Sequence, residues 1–171
     1  YGFEAGDDEN ALKSINKGVK KGSLSNDEVI KITRDAGINM IGHAILGLYD
    51  DDEDSIRKNV DFLRKHQFEW NNIYPAFAYP GTPFYDKYVG EGIIEEPRSW
   101  EEYGLYSYEC KPLPTKHLTS AQVLSLRDEL FNEYYGDQNV QDNLRIKFGQ
   151  KTIDHINEML SVKLKRKILG D

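Results

Sequence analysis

Four places in this chain combine residue types and spacing that could do chemistry. Gly2-Phe3-Glu4 reads as a strand end that delivers a carboxylate. At the carboxyl end of a strand in a parallel α/β sheet such a group faces the ligand, where it accepts from hydroxyls, pairs with an amine, or is simply solvated. His43 lies inside the apolar run Gly42-His43-Ala44-Ile45-Leu46-Gly47-Leu48, and strand alternation puts it on the face of Ile41 and Ile45. An imidazole there is either a satisfied structural group or a ligand contact, and Gly47 beyond it permits the close backbone approach that a nucleotide needs. Tyr79-Pro80-Gly81-Thr82-Pro83 fixes a rigid turn at the end of a strand. The run Asp50-Asp51-Asp52-Glu53-Asp54 offers carboxylates to a divalent cation, but it lacks the alternating, glycine-pivoted spacing of an EF-hand. It reads as charge that complements a helix N-terminus. His66, His117 and His155 have no Cys or His at ligand spacing and read as surface or satisfied residues.

Composition narrows the choices. The single cysteine, Cys110, excludes an internal disulfide and a metal cluster or zinc site ligated by this chain's own thiolates, and it fits a reducing cytoplasm. A net charge of −7 argues against a nucleic-acid surface. No run approaches the roughly 18–20 apolar residues of a membrane span, and no signal-peptide pattern opens the chain. The basic group Lys163, Lys165, Arg166 and Lys167 reads as solvated charge at a helix C-terminus.

These residues need elements to hold them. Tyr1-Gly2-Phe3-Glu4 reads as the end of a strand already under way, which predicts a missing upstream half. Asp7 in the turn Gly6-Asp7-Asp8 caps a short helix carrying Ala11, Leu12 and Ile15, which ends at Lys17-Gly18. Ser25 and Glu28 form a capping-box pattern for a helix that buries Val29, Ile30 and Ile32 or their neighbours and stops at Gly37. Ile38 to Leu46 suits a strand buried on both faces. A helix then carries Ile56, Val60, Phe62 and Leu63, and a third strand is predicted over Ile73 to Ala78. Residues 84 to 117 read as irregular. Thr119 and Gln122 suggest a second capping box, with helices over 120–135, 139–148 and 151–168. The order is that of βα units, so the fold class is α/β.

Taken in order, Gly2-Phe3-Glu4-Ala5-Gly6, Leu12-Lys13-Ser14-Ile15-Asn16-Lys17-Gly18, Ala36-Gly37-Ile38, Ile45-Leu46-Gly47-Leu48 and Tyr79-Pro80-Gly81-Thr82-Pro83 resemble the second half of the radical S-adenosylmethionine (SAM) barrel. The likeness is greatest to the cobalamin-binding class, which includes the anaerobic magnesium-protoporphyrin monomethyl ester oxidative cyclases and many methyltransferases. It covers residues 1 to about 105, and 106–171 resemble that class's C-terminal helical extension. The resemblance implies the last three strands of a partial, TIM-like (βα)6 barrel. In that family a Cys-x3-Cys-x2-Cys loop binds a 4Fe–4S cluster, and reductive cleavage of SAM yields a 5′-deoxyadenosyl radical. It further implies that Glu4 and Lys17 reach polar groups of SAM, that His43 contacts the ribose, and that Ile45 and Ala78 line the adenine. The family's Gly-Leu-Pro-Gly-Glu-Thr reads Gly47-Leu48-Tyr49-Asp50-Asp51-Asp52 here, with Asp51 in the glutamate's place.

The expected parent is therefore a cytoplasmic radical SAM oxidoreductase or methyltransferase acting on a small molecule, with cobalamin held, if at all, by a missing N-terminal domain. The cluster motif is absent, so this chain alone is expected to be inactive and to bind SAM only with its N-terminal half. Three strands cannot close a barrel, so self-association is expected. The rival readings are a non-catalytic α/β scaffold or interaction module and a methylthiotransferase-like relative. The latter should carry an RNA-binding tail, which the acidic helical end does not resemble.

Overall fold

The computed structural model describes residues 24–171 and the backbone of Gly2–Glu4. Lys17, the turn at Asp7 and the short helix predicted after it lie outside the described residues. Three parallel strands, β1 (Gly2–Glu4), β2 (Ile41–Leu46) and β3 (Trp70–Pro75), pair in that order. Helix α1 (Asn26–Asp35) precedes β2, and α2 (Glu53–His66) joins β2 to β3, as a parallel crossover requires. The chain is thus mixed α/β, as predicted.

Both capping boxes form. Glu28 N donates to Ser25 Oγ at 3.2 Å while Ser25 N donates to Glu28 Oε2 at 2.8 Å. Gln122 N donates to Thr119 Oγ1 at 3.3 Å at the start of α4 (Ser120–Gly136). In α1 Ile30 is buried, but Ile32 points outward, and Thr33 is buried with its hydroxyl bonded to Val29 O at 2.7 Å. Helix α2 buries Ile56, Val60, Phe62 and Leu63 as expected.

Four expectations are corrected. First, β2 begins at Ile41 rather than Ile38, and only one of its faces is deeply buried. Gly42, Ala44 and Leu46 are buried, whereas Ile41 is 45% exposed and His43 and Ile45 are half-buried. Second, β3 starts three residues before the predicted strand. Its opening Trp70-Asn71-Asn72 hides the apolar signal, because the buried Asn71 is held by tyrosine hydroxyls. Third, the stretch predicted to be irregular holds α3 (Pro83–Gly90), with Thr82 as its cap and Pro83 at its first position, and a 3-10 turn at Trp100–Tyr103. Fourth, the final predicted helix stops early. Helix α5 (Gln138–Phe148) is followed by α6 (Gln150–Ser161), after which residues 162–166 are non-helical, and Lys167–Leu169 form a 3-10 turn.

The reason for that early stop is Arg166, which is fully buried rather than solvated. Its Nε and Nη2 donate to Asp128 Oδ2 and Oδ1 at 2.9 and 3.1 Å, and its Nη1 donates to Leu105 O and Ser107 O at 2.6 and 3.1 Å. A bidentate, charge-assisted anchor of this kind outweighs another turn of helix.

One main core joins Ala44, Leu46 and Ile73 to Ile30 of α1, Val60 and Leu63 of α2, Leu126 and Leu130 of α4, and Ile153 and Ile156 of α6. The C-terminal helices therefore pack on the same sheet face as the crossover helices. Helix α4 also closes the outer edge of β3. Asn71 N donates to Tyr135 Oη at 2.9 Å, Tyr135 Oη donates to Asn71 O at 2.7 Å, and Arg127 Nε donates to Ile73 O at 2.9 Å. Pro75, next in that alternation, has no N–H to offer.

Candidate functional site

The sheet face opposite the main core carries the polar residues. In the β2–β3 register His43 stands beside Asn72 and Ile45 beside Tyr74, so these four side chains share that face. Asn72 Nδ2 lies 3.3 Å from His43 Nδ1. An amide nitrogen donates, so the contact fits the tautomer in which Nδ1 accepts and Nε2 carries the proton. The Tyr74 ring is 6.5 Å from the imidazole and 40% exposed, and Ile41 extends the same surface. Among the described residues the face is a partly open strip of imidazole, amide, phenol and branched aliphatic groups.

At the carboxyl end of the strands Ile45 packs against a second hydrophobic cluster of Leu48, Ala76, Ala78, Tyr88 and Leu113. Ile45 and Ala78, expected to flank one ligand ring, do meet at this cluster. Ala78, however, is 2% exposed and sits inside the packing rather than on the open strip. Tyr88 reaches the cluster from α3, and its buried hydroxyl has no hydrogen-bond partner among the described residues. Burial, with lesser help from Tyr49, Asp50 and Glu91, pushes that phenol up to about 12. A buried polar atom left unpaired marks a position that a ligand or a water completes. Sequence reasoning passed over Tyr88, Asn72 and Tyr74. Asn72 beside an apolar run was the one available signal.

The loop after β2 is built by Asp51. Its Oδ2 accepts from Gly47 N and Leu48 N at 3.0 and 2.9 Å, and its Oδ1 accepts from Ser55 Oγ at 2.9 Å. The acidic run thus does more than complement a helix. Asp51 is buried and closes the turn, while Asp52 caps α2 through Ser55 N at 2.9 Å. Gly47 has φ +84°, and a Cβ placed there would lie 2.7 Å from Val123 Cγ1. The close approach predicted for a nucleotide is here made by α4.

The Tyr79–Pro83 motif is a turn and also a helix start. Thr82 Oγ1 donates to Tyr79 O at 2.7 Å and accepts from Tyr85 N at 3.2 Å. Tyr79 stacks on Tyr103 at 5.1 Å between ring centroids, and Phe77 and Trp100 lie 6.0 and 5.8 Å from Tyr103.

Of the remaining candidates, Glu4 pairs with Ala44 through the β1–β2 register, and its side chain, like Lys17, lies outside the described residues. His66 is buried, with Nε2 3.1 Å from Asp27 Oδ1, while His117 and His155 are exposed. Cys110 is buried, and desolvation pushes its thiol up to about 11, the reverse of what a thiolate ligand needs. Among the described residues no three His, Cys, Asp or Glu side chains come together as a metal site, and no helix is long and apolar enough to cross a membrane. No family model matches this chain, and no curated protein matches it.

Proposed function

We propose that this chain forms the C-terminal half of a radical SAM barrel and contributes part of the SAM site of an oxidative-cyclase or methyltransferase type of enzyme. The observation that carries the reading is the one-sided completion of the sheet. Among the described residues every long helix packs on one face, and α4 occupies the outer edge of β3, while the His43 face stays partly open. The last three strands of a partial barrel have this form. In such a half-barrel the outer face is clothed and the final edge capped, while the inner face and first edge would take the strands that precede them.

The residues present suit SAM in kind. An imidazole at His43 can meet a ribose oxygen, and Tyr74 and Ile45 offer flat and aliphatic surface to a purine. They do not suit the 4Fe–4S cluster. One buried cysteine with a raised thiol pKa cannot replace three thiolates, so the cluster would have to be held by a separate, cysteine-bearing half. Bound SAM would supply the radical; this chain's share is to hold and orient it.

The test is SAM affinity by equilibrium dialysis in the protein that contains both halves. Glu4→Ala and Lys17→Ala should each weaken binding about ten- to a hundredfold with the cluster intact, the worth of one charge-assisted contact. His43→Ala should lose about fivefold. Unchanged affinity in all three variants would end the assignment. So would a stoichiometric cluster after anaerobic reconstitution of this chain alone.

A further inference from the structure

Two asparagines stand side by side in β3, although asparagine is a poor strand former. Strand alternation sends them to opposite faces. Asn71, on the core side, has a structural reason to be there. Its N–H and C=O are held by Tyr135, and its side chain donates to Tyr134 Oη at 2.6 Å. Asn72, on the open face, seals nothing. Among the described residues its side chain has one hydrogen-bond partner, Nδ1 of His43 at 3.3 Å. The sheet builds this pair in. His43 and Asn72 are direct register partners across the β2–β3 ladder, and Tyr135 fixes the backbone at the residue just before Asn72. The Tyr74 ring stands 6.5 Å from the imidazole at 32°. The other ring nitrogen, Nε2, bonds to no described residue. A neutral imidazole has one donor and one acceptor, so an amide N–H on Nδ1 goes with the proton on Nε2.

We propose that Asn72 is a positioning residue that holds His43 in the Nε2–H tautomer, so that the open strip presents one fixed donor and selects an occupant with a hydrogen-bond acceptor at that point. The inference rests on the SAM reading for the identity of that acceptor, a ribose oxygen, but the tautomer itself is measured without SAM. Neither composition nor motif pointed to Asn72, because it meets His43 only through the strand register.

Nitrogen NMR gives the direct readout. In the full chain labelled with 15N at histidine, the His43 ring signals are those that vanish in His43→Ala, and they are read at about pH 8, where histidine is ordinarily neutral. Nδ1 should be bare and Nε2 protonated. Asn72→Asp keeps the shape of the side chain but, once ionised, can only accept, so it should put a proton on Nδ1. Asn72→Ala should release the ring and let both tautomers appear. A protonated Nδ1 in the unaltered chain, or a bare one in Asn72→Asp, overturns the proposal. SAM affinity in the protein that contains both halves then separates this inference from the reading it rests on. Asn72→Ala should weaken binding about two- to threefold, and the double variant with His43→Ala should bind no worse than His43→Ala alone. Additive losses overturn positioning through His43. An affinity indifferent to His43→Ala counts against SAM as the occupant, and the tautomer measurement still decides the role of Asn72.

Discussion

Replacing Tyr135 by phenylalanine removes a single oxygen and isolates the sealing of β3. That oxygen serves two backbone groups of Asn71, accepting from its N–H at 2.9 Å and donating to its C=O at 2.7 Å. Asn71 is 2% exposed, so water cannot readily take over. The ring itself stays, with its neighbours Trp70 at 5.1 Å and Phe131 at 4.9 Å, so no cavity forms. The loss is therefore the penalty for a buried donor and acceptor left unpaired, about 1–3 kcal/mol for the N–H and less for the carbonyl, or about 2–4 kcal/mol together. Against a typical total of about 5–15 kcal/mol this is a large fraction. Urea unfolding followed by circular dichroism should show a lower midpoint at unchanged slope. Tyr134→Phe is the control: among the described residues its hydroxyl accepts from Asn71 Nδ2 alone, at 2.6 Å, and its loss should cost about 1–2 kcal/mol. A Tyr135→Phe effect below about 0.5 kcal/mol would mean that the edge of β3 is not held through this hydroxyl.

Three further outcomes are expected. Gly47→Ala combines the left-handed backbone with the Val123 overlap and should destabilise by about 2–4 kcal/mol; a cycle with Val123→Ala should show at least about 1 kcal/mol of favourable coupling, and additive effects would refute the contact. Cys110 and Tyr134 stay protonated in the folded state up to about 11 and about 12, above their ordinary values of 9.0 and 10.0, so the unfolded chain releases those protons first. Their contribution is complete below pH 9 and declines as pH rises to about 12, by about 2–3 kcal/mol for each group, and urea midpoints flat across that window would contradict it. The isolated chain should self-associate at micromolar concentration in sedimentation velocity through its open face or the β1 edge, and a clean monomer that binds no hydrophobic dye would count against the half-barrel.

Much of the fold was legible because local rules and tertiary packing agree. Ser25 with Glu28 and Thr119 with Gln122 started helices where their side chains predict, and Ile56, Val60 and Leu63 kept to one face. The misses share one cause: polar residues whose partners are far away in sequence. Asn71 looks wrong for a strand until Tyr134 and Tyr135 arrive from more than sixty residues later. Arg166 looks like a solvated lysine-rich tail until Asp128 and the carbonyls of Leu105 and Ser107 surround it. Pro75 could have been read as an edge-strand marker, since it cannot donate to a neighbour. At the candidate site His43 and Ile45 were found by alternation alone, whereas Tyr88 reaches the cluster through α3, a helix that the reading of residues 84–117 as irregular had left out.

The rival to a half-barrel is a finished interaction module, and the two differ in where the helical extension belongs. A finished two-faced sheet would gain most by laying α4, α5 or α6 over Ile41, His43 and Tyr74, because burying even half of such side chains is worth about 1 kcal/mol each. The chain instead places Leu126, Leu130, Ile153 and Ile156 on the face already covered by α1 and α2. It also directs a tyrosine hydroxyl and an arginine to the backbone of β3, where a further strand would otherwise pair. Among the described residues the His43–Asn72 pair and Tyr74 stay on the face that no long helix covers, which is what the half-barrel proposal expects and a finished module does not.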